Sequence, residues 1–351
     1  MVQLSQLYLY LTEGCNLACR HCWLAPKFDA GAIRYSVLDV AVMRKVLNEA
    51  LPLGLQAVKL TGGEPLMHPE IITILEIIKN EKLRLTIETN GLLCTKEVVA
   101  KIAEHEKAFV SVSLDGASAE THEWVRGVKG SFAAACNAVS YLAEAGLRPQ
   151  IIFSVMRHNA VEVPEIIKLG ECLGAKSIKF NIIQPTARGE TLHEQDETLS
   201  LSELIELGRT VEFRLQPATK ILLHYDYPAA FQPLSRLSKR WSNCGIKNIL
   251  GVLATGKYAL CGIGEQISEL IFGEAGKDSL ATIWNEHPIL LKIREDIPLQ
   301  LKGICSRCLM KSRCLGSCVA QNYYRTKDLT SPFWFCEMAE REGLFPESRL
   351  I

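Results

Sequence analysis

The sequence predicts an α/β fold: a parallel sheet of six strand–helix units, followed by a smaller cysteine-rich C-terminal part. Three observations predict it. Short apolar runs alternate six times with segments of helical periodicity in the first half of the chain, and such alternation builds parallel sheets through right-handed crossovers. Several runs close on glycines and small polar residues, the chemistry expected where ligands meet the carboxyl ends of parallel strands. Of the 351 residues 13 are cysteines, gathered mainly behind the first run and in the final third.

The first strand is read at Leu7 to Thr12, an apolar run that opens into Gly14-Cys15-Asn16-Leu17-Ala18-Cys19-Arg20-His21-Cys22-Trp23. Val37 to Ala50 carries Val40, Val42, Met43, Val46 and Leu47 at helical spacing. Strand Ala57 to Leu60 ends in Thr61-Gly62-Gly63-Glu64-Pro65. Helix Pro69 to Lys79 leads to strand Arg84 to Glu88 and then Thr89-Asn90-Gly91; helix Lys96 to His105 leads to strand Ala108 to Leu114 and then Asp115-Gly116. Helix Ser131 to Ala145 with strand Pro149 to Val155, and helix Ala160 to Leu173 with strand Ser177 to Ile183, complete the series. Six units fall short of a closed eight-fold barrel. From Gln184 to about Ser235 the alternation is expected to stop: Leu199 to Arg214 reads as one amphipathic helix, and Pro217, Pro228 and Pro233 break the chain. The expected division is a barrel over 1–190, a bridging region over 191–235 and a C-terminal domain over 236–351. No internal repeat or low-complexity segment interrupts it.

The 39 Lys and Arg balance the 39 Asp and Glu, so no nucleic-acid or anionic-membrane surface is expected. No apolar run is long enough to span a bilayer. Met1-Val2-Gln3-Leu4-Ser5 has no basic segment or cleavage site of a secretory signal. A cytoplasmic location is expected, where cysteines serve metal sites rather than disulfides.

Cys15, Cys19 and Cys22 form a C-x3-C-x2-C pattern. Three thiolates in one short loop suit an iron–sulfur cluster or zinc. Gly62-Gly63-Glu64-Pro65 by itself reads equally as a turn, although its glycines admit close backbone approach and Glu64 suits an ammonium group. Together, one strand and one helix apart, the two motifs resemble those of the radical S-adenosylmethionine (SAM) enzymes. The resemblance implies a partial (β/α)6 TIM-type barrel open at the side toward substrate. It implies a 4Fe–4S cluster on Cys15, Cys19 and Cys22 whose fourth iron chelates SAM, with the Gly62-Gly63-Glu64 loop at the SAM amino group. Such a cluster also implies an anaerobic or oxygen-protected setting. Asn90 and Ser113 fall where members of the family contact the ribose or methionine part of SAM, and His21 where aromatic residues pack beside the adenine. Arg126 reads either as a partner of a carboxylate or as a surface ion pair. Asp115 reads as a turn residue before Gly116, Ser131 as the cap of the following helix.

The C-terminal third holds Cys244, Gly256 and Cys261 as C-x11-G-x4-C, then Cys305, Cys308, Cys314 and Cys318 as C-x2-C-x5-C-x3-C, then Cys336. Cys305-x2-Cys308 alone suits a zinc ribbon. The full set resembles the SPASM domain of radical-SAM enzymes, as do Phe272-Gly273 and Ser279 to Trp284. The resemblance runs from Tyr8 to about Glu340. It implies two auxiliary iron–sulfur clusters, with Cys305, Cys308, Cys314 and Cys336 on the outer and Cys244, Cys261 and Cys318 on the inner, whose missing fourth ligand leaves one iron open. His224 and Asp226 are the alternatives in the adjoining segment. Cys94, Cys136 and Cys172 are expected to be buried, inert thiols.

The function implied is formation of a 5′-deoxyadenosyl radical that abstracts hydrogen from a ribosomally made precursor peptide, with thioether crosslinking favoured. A formylglycine-forming sulfatase maturase is the first alternative, and a small-molecule dehydrogenase follows. An electron-transfer iron–sulfur protein is the non-enzymatic rival, against which the Gly62-Gly63-Glu64 loop speaks. Expected partners are the peptide and an electron donor such as flavodoxin or ferredoxin. About a dozen residues precede Cys15, too few for an N-terminal recognition domain, so the peptide is expected to bind the barrel directly or through a separate peptide-recognition protein.

Overall fold

The computed structural model describes residues 2–28, 34–234 and 244–351. Its centre is one ten-stranded sheet. The strands are β1 (Gln6–Tyr10), β2 (Ala57–Thr61), β3 (Arg84–Thr89), β4 (Ala108–Ser113), β5 (Gln150–Val155), β6 (Ser177–Ile182), β7 (Leu222–Tyr225), β8 (Ile249–Val252), β9 (Lys257–Ala259) and β10 (Ile271–Glu274). Their spatial order is β10-β9-β8-β1-β2-β3-β4-β5-β6-β7. From β8 to β7 every neighbour pair is parallel; β9 and β10 fold back antiparallel.

The six expected strands are all present, each followed by a helix: α1 (Val40–Ala50), α2 (Ile71–Asn80), α3 (Lys96–Ala103), then α4 (Ala119–Arg126) and α5 (Ser131–Glu144) after β4, and α6 (Val163–Cys172). Helix α4, capped by the Ser118 hydroxyl, is additional to the elements read from sequence. The expected end of alternation at Gln184 is corrected. Beyond α7 (Arg188–Glu194), helix α8 (Leu201–Thr210) crosses over to β7, a seventh strand parallel to β6. Its four residues, Leu-Leu-His-Tyr, between Pro217 and Pro228 are too short to stand out as a strand. The expected boundary at 235–236 falls on residues outside those described.

Strand polarity decides where the site lies. Leu85 and Ile87 of β3 face the helices and are buried, whereas Arg84, Thr86 and Glu88 turn the other way and are more exposed. The same division puts Leu7, Leu9, Val58, Leu60, Phe153 and Phe180 against α1, α2 and their neighbours in one continuous core. Each such side chain contributes about 1.5–3 kcal/mol on burial. The inner face instead carries half-buried Tyr8, Lys59, Glu88, Lys179 and Asn181. A packed barrel interior consists of branched apolar side chains; this polar one stays open and becomes a cleft.

The C-terminal cysteines are joined to that sheet rather than appended to it. Gln6 to Leu9 of β1 pair with Ile249 to Val252 of β8 just as they pair with β2 on the other side. Short helices α9 (Leu280–Glu286), α10 (Pro288–Asp296), α11 (Gly303–Arg307), α12 (Lys311–Cys314), α13 (Val319–Thr326) and α14 (Trp334–Arg341) follow.

Candidate active site

The two sequence motifs meet back to back at the carboxyl ends of β1 and β2. The Thr12 hydroxyl donates to the carbonyls of Gly14 (2.9 Å) and Glu64 (3.1 Å). The Gly63 N–H donates to the Thr12 carbonyl and the Glu64 N–H to that of Gly14, at 2.8 and 3.0 Å. A Cβ on Gly63 would lie 1.9 Å from the Gly14 oxygen, so only glycine permits this approach. Gly62 sits at φ +131°, which glycine alone adopts without strain. The far side of the cysteine loop leans on α4: the N–H groups of Ala18 and Arg20 donate to the carbonyls of Arg126 and Val125. Arg188 adds hydrogen bonds to the carbonyls of Cys19 and Pro26, both at 3.2 Å.

A cleft of about 850 Å³ opens between these loops and the inner face of the sheet. His21, Gly62, Gly63, Glu64, Asn90, Ser113 and Arg126 line it together with Cys15, Cys19 and Cys22. Every non-C-terminal residue singled out from sequence as a ligand is thus brought to one place. Glu88, Thr89, Ser154 and Asn181 line it as well. Sequence reading passed over these four because each stands alone inside a strand or at its end.

Glu64 is 1 % exposed, and its carboxylate already has donors. Oε1 accepts from Thr89 Oγ1 (2.7 Å) and the Leu66 N–H (3.0 Å), Oε2 from the Asn90 N–H (2.8 Å). Burial pushes this carboxyl up to about 7 against those hydrogen bonds, which favour the anion. Asn90 Nδ2 in turn donates to Asn16 (2.7 Å) and lies 3.8 Å from Cys15 Sγ. Glu64 therefore braces the tips of β2 and β3, and Asn90 carries that brace to the first cysteine.

Arg126 is 6 % exposed, which corrects the surface ion pair weighed from sequence. Its guanidinium reaches the fully buried Asp115 at 2.6 Å and Cys19 Sγ at 3.4 Å. Asp115 is also more than a turn residue. Its Oδ1 accepts from the Ser154 N–H (2.6 Å), its carbonyl from Asn159 (2.9 Å), and its Oδ2 lies 3.8 Å from His21 Nε2. His21 is correspondingly not solvent-facing: burial lowers its imidazole to about 4, and its Nδ1, directed into a buried space, has no partner among the described residues. Ser131 opens α5 but donates its hydroxyl to the Val128 carbonyl; Gly130 holds the cap position.

Two further cavities continue the cleft. One of about 1,270 Å³ is lined by Cys244, Cys261 and Cys318 and shares His21, Trp23, Ser154 and Asn181 with the first. A tighter one of about 300 Å³ is lined by Cys305, Cys308, Cys314 and Cys336 among apolar side chains and Lys311, and shares Pro228 and Cys314 with the second. The two sets expected for inner and outer auxiliary clusters thus occupy separate, adjoining spaces. Lys59 pairs with Glu88 (2.6 Å) and Lys179 with Asp226 (3.3 Å) on the wall between the first two cavities.

The donor chemistry fits iron–sulfur clusters. All 13 cysteines are free thiols. Burial pushes Cys15, Cys261 and Cys305 each up to about 12, and neighbouring thiolates add to the effect. Such thiols ionise only against a bound cation. Among the described residues no group of three His, Cys, Asp or Glu could hold a single metal ion. The thiols surround cavities instead. Of the unassigned cysteines Cys94 is buried and Cys136 half-buried, but Cys172 is exposed at the end of α6, contrary to expectation.

The sequence pattern of the Radical SAM superfamily matches residues 9–169. An AdoMet-dependent heme synthase of Methanosarcina barkeri is 29% identical over 343 residues, covering 93% of this chain and 94% of that protein. The antilisterial bacteriocin subtilosin biosynthesis protein AlbA of Bacillus subtilis is 26% identical and covers 97% of this chain and 72% of its own. Among solved structures, Streptococcus suis SuiB bound to precursor peptide SuiA superposes with a TM-score of 0.74 at 18% identity, over 96% of this chain and 76% of that one. The cysteine loop pinned on Gly62-Gly63, the open polar face of the sheet and this match together identify residues 9–169 as a radical SAM domain, and the protein as a radical SAM enzyme that uses a 4Fe–4S cluster and SAM.

Proposed function

We propose that the protein is a maturase that modifies a ribosomally made peptide, with carbon–sulfur crosslinking the favoured outcome. The observation that carries this reading is the continuity of the SAM cleft with the Cys244, Cys261 and Cys318 cavity through His21, Trp23, Ser154 and Asn181. A segment lying across that wall meets both at once. The resemblance to AlbA over 97% of this chain supports it.

Cys15, Cys19 and Cys22 would hold the first cluster. When bound, that cluster and SAM supply a 5′-deoxyadenosyl radical for hydrogen abstraction. The chain's own part is to bind and orient. Glu64 and Asn90 position the methionine side, Ser113 and His21 the nucleoside side. Arg126 keeps its charge against Cys19 because Asp115 offsets its burial. Cys305, Cys308, Cys314 and Cys336 would hold the outer auxiliary cluster. Cys244, Cys261 and Cys318 would hold the inner one, with one iron open to a substrate thiolate. A flavodoxin- or ferredoxin-type donor, a separate peptide-recognition chain and a cytoplasmic setting complete the proposal, the last because 13 free thiols persist only under reducing conditions. No helix among the described residues is long and apolar enough to cross a membrane.

A second reading takes a small molecule as substrate, supported by the near full-length similarity to the Methanosarcina heme synthase. The test is incubation of the cluster-loaded protein with SAM, dithionite and each short peptide encoded beside its gene. A cysteine-containing peptide is expected to lose two hydrogens per crosslink, with 5′-deoxyadenosine formed in step. If 5′-deoxyadenosine forms but every peptide is unchanged, while a tetrapyrrole precursor is consumed, the second reading stands instead.

A further inference from the structure

The three cavities form a row that starts at the SAM cleft and ends at the space lined by Cys305, Cys308, Cys314 and Cys336. The protein surface over that last cavity has its own charge. Residues 297–327 contain six basic side chains and no Asp or Glu, in a chain whose net charge is zero. Four of the six are matched by acids from elsewhere: Lys302 by Asp328, Arg307 by Glu340, Arg325 by Glu337 and Lys327 by Glu269. Lys311 and Arg313 form no ion pair among the described residues. Arg313 is exposed, and the Lys311 ammonium donates only to the Ser306 carbonyl, at 2.7 Å. Leu309, between two of the cavity cysteines, is 50 % exposed. An exposed apolar side chain within four residues of two unmatched cations is the composition of a protein-docking patch.

We infer that Lys311, Arg313 and Leu309 form the docking surface for a small acidic one-electron carrier protein, placing its redox group over the outer cysteine set. Charge complementarity names the occupant. Two unmatched cations steer an acidic partner, and the apolar centre holds it once docked. On the SAM side of the row the exposed cation next to the cysteine loop is Lys129, whose neighbour Val128 packs on that loop. Lys27 is taken by Glu13, and Arg20, on the outside of the cysteine loop, is spent on the Trp124 ring and carbonyl. The same two cations also lie near buried thiols, so a role limited to balancing thiolate charge is the rival to be excluded.

This inference rests on the reading that Cys305, Cys308, Cys314 and Cys336 hold a cluster; an iron shortfall in the unmodified protein would reveal failure of that reading separately. The experiment uses the cluster-loaded full chain and flavodoxin. Reoxidation of flavodoxin hydroquinone is followed by stopped flow against ionic strength, and binding of oxidised flavodoxin is titrated by NMR. Lys311→Glu/Arg313→Glu is expected to lower the second-order rate and the affinity about tenfold or more at low salt and to flatten the salt dependence. Iron content and dithionite-driven SAM cleavage should be unchanged. Arg20→Glu should leave rate and affinity as they were. If the charge reversal disturbs iron content, the milder Lys311→Gln/Arg313→Gln pair decides by the same two readouts. Unchanged rate, affinity and salt dependence in the pair that retains its iron would overturn the inference. So would a loss of equal size in Arg20→Glu.

Discussion

At the scale of single residues, the site is governed by how few exposed charges it has. Cys15, Cys19, Glu64, Asp115 and Arg126 are all less than a tenth exposed. A buried carboxylate survives only when it is hydrogen-bonded or paired, and both are. Glu64 has three donors, and Asp115 faces a guanidinium. Replacing Cys15, Cys19 and Cys22 together by Ala is expected to abolish SAM cleavage while iron bound by the C-terminal set remains; 5′-deoxyadenosine analysis beside iron determination reads both. Glu64→Gln is expected to weaken SAM binding roughly ten- to a hundredfold, from loss of an interaction worth about 1.5–3 kcal/mol. Thr89→Val separates the charge from the brace, since it removes one donor to Glu64 but keeps the carboxylate. A lower melting temperature with SAM affinity retained is expected there, and equal loss of affinity in both variants would assign Glu64 to bracing alone.

At the scale of elements, the loops are fixed from outside the cleft, and helix ends do much of that fixing. Helix α4 presents its last carbonyls to the cysteine loop and ends in left-handed Gly127. Helix α8, which carries the chain to β7, starts with a reciprocal cap between Ser200 and Glu203. Hydrogen bonds from Ser200 and then Arg157 hold the Glu203 carboxyl down at about 2. A carboxyl lowered on folding stabilises the native state above its unfolded value near 4.5 and loses that contribution as pH falls through 2. Ser200→Ala is expected to cost about 1 kcal/mol at neutral pH. The difference from the parent protein should shrink as urea unfolding is repeated from pH 5 down toward pH 2. A constant difference across that range would detach the cap from Glu203.

At the scale of the whole molecule, the sheet that carries the SAM cleft continues into the C-terminal part, because β8 pairs in parallel with β1 as β2 does on its other side. Cys244 precedes β8 and Cys261 follows β9, so both are tied to that sheet. Cys318→Ala is expected to remove about four irons per chain and to stop product formation, while SAM cleavage without substrate continues. Retained iron with product formation intact would take Cys318 out of the inner set.

Much of this was legible in the chain itself, for physical reasons. Alternating apolar runs and helical periodicity specify βα units locally, and the six strands stand where they were expected. Cysteines must be close in sequence to reach one cluster from one loop, so Cys15, Cys19 and Cys22 announce themselves. Gly62 and Gly63 stand out because no other residue tolerates their contacts. The rest depends on pairings between segments far apart in the chain, which no local pattern encodes. Only the tertiary structure turned Arg126 inward onto Asp115 and Cys19. It also made Glu64 a brace through Thr89 and Asn90, and revealed a seventh strand in a short, proline-flanked stretch. Folding set the inner and outer cysteine sets around two adjoining spaces that share Cys314. It left Lys311 and Arg313 unmatched, since the acids that neutralise their neighbours arrive from Glu269, Asp328, Glu337 and Glu340. A sequence specifies which groups are available; burial, and the long-range partners that make burial tolerable, decide what each one does.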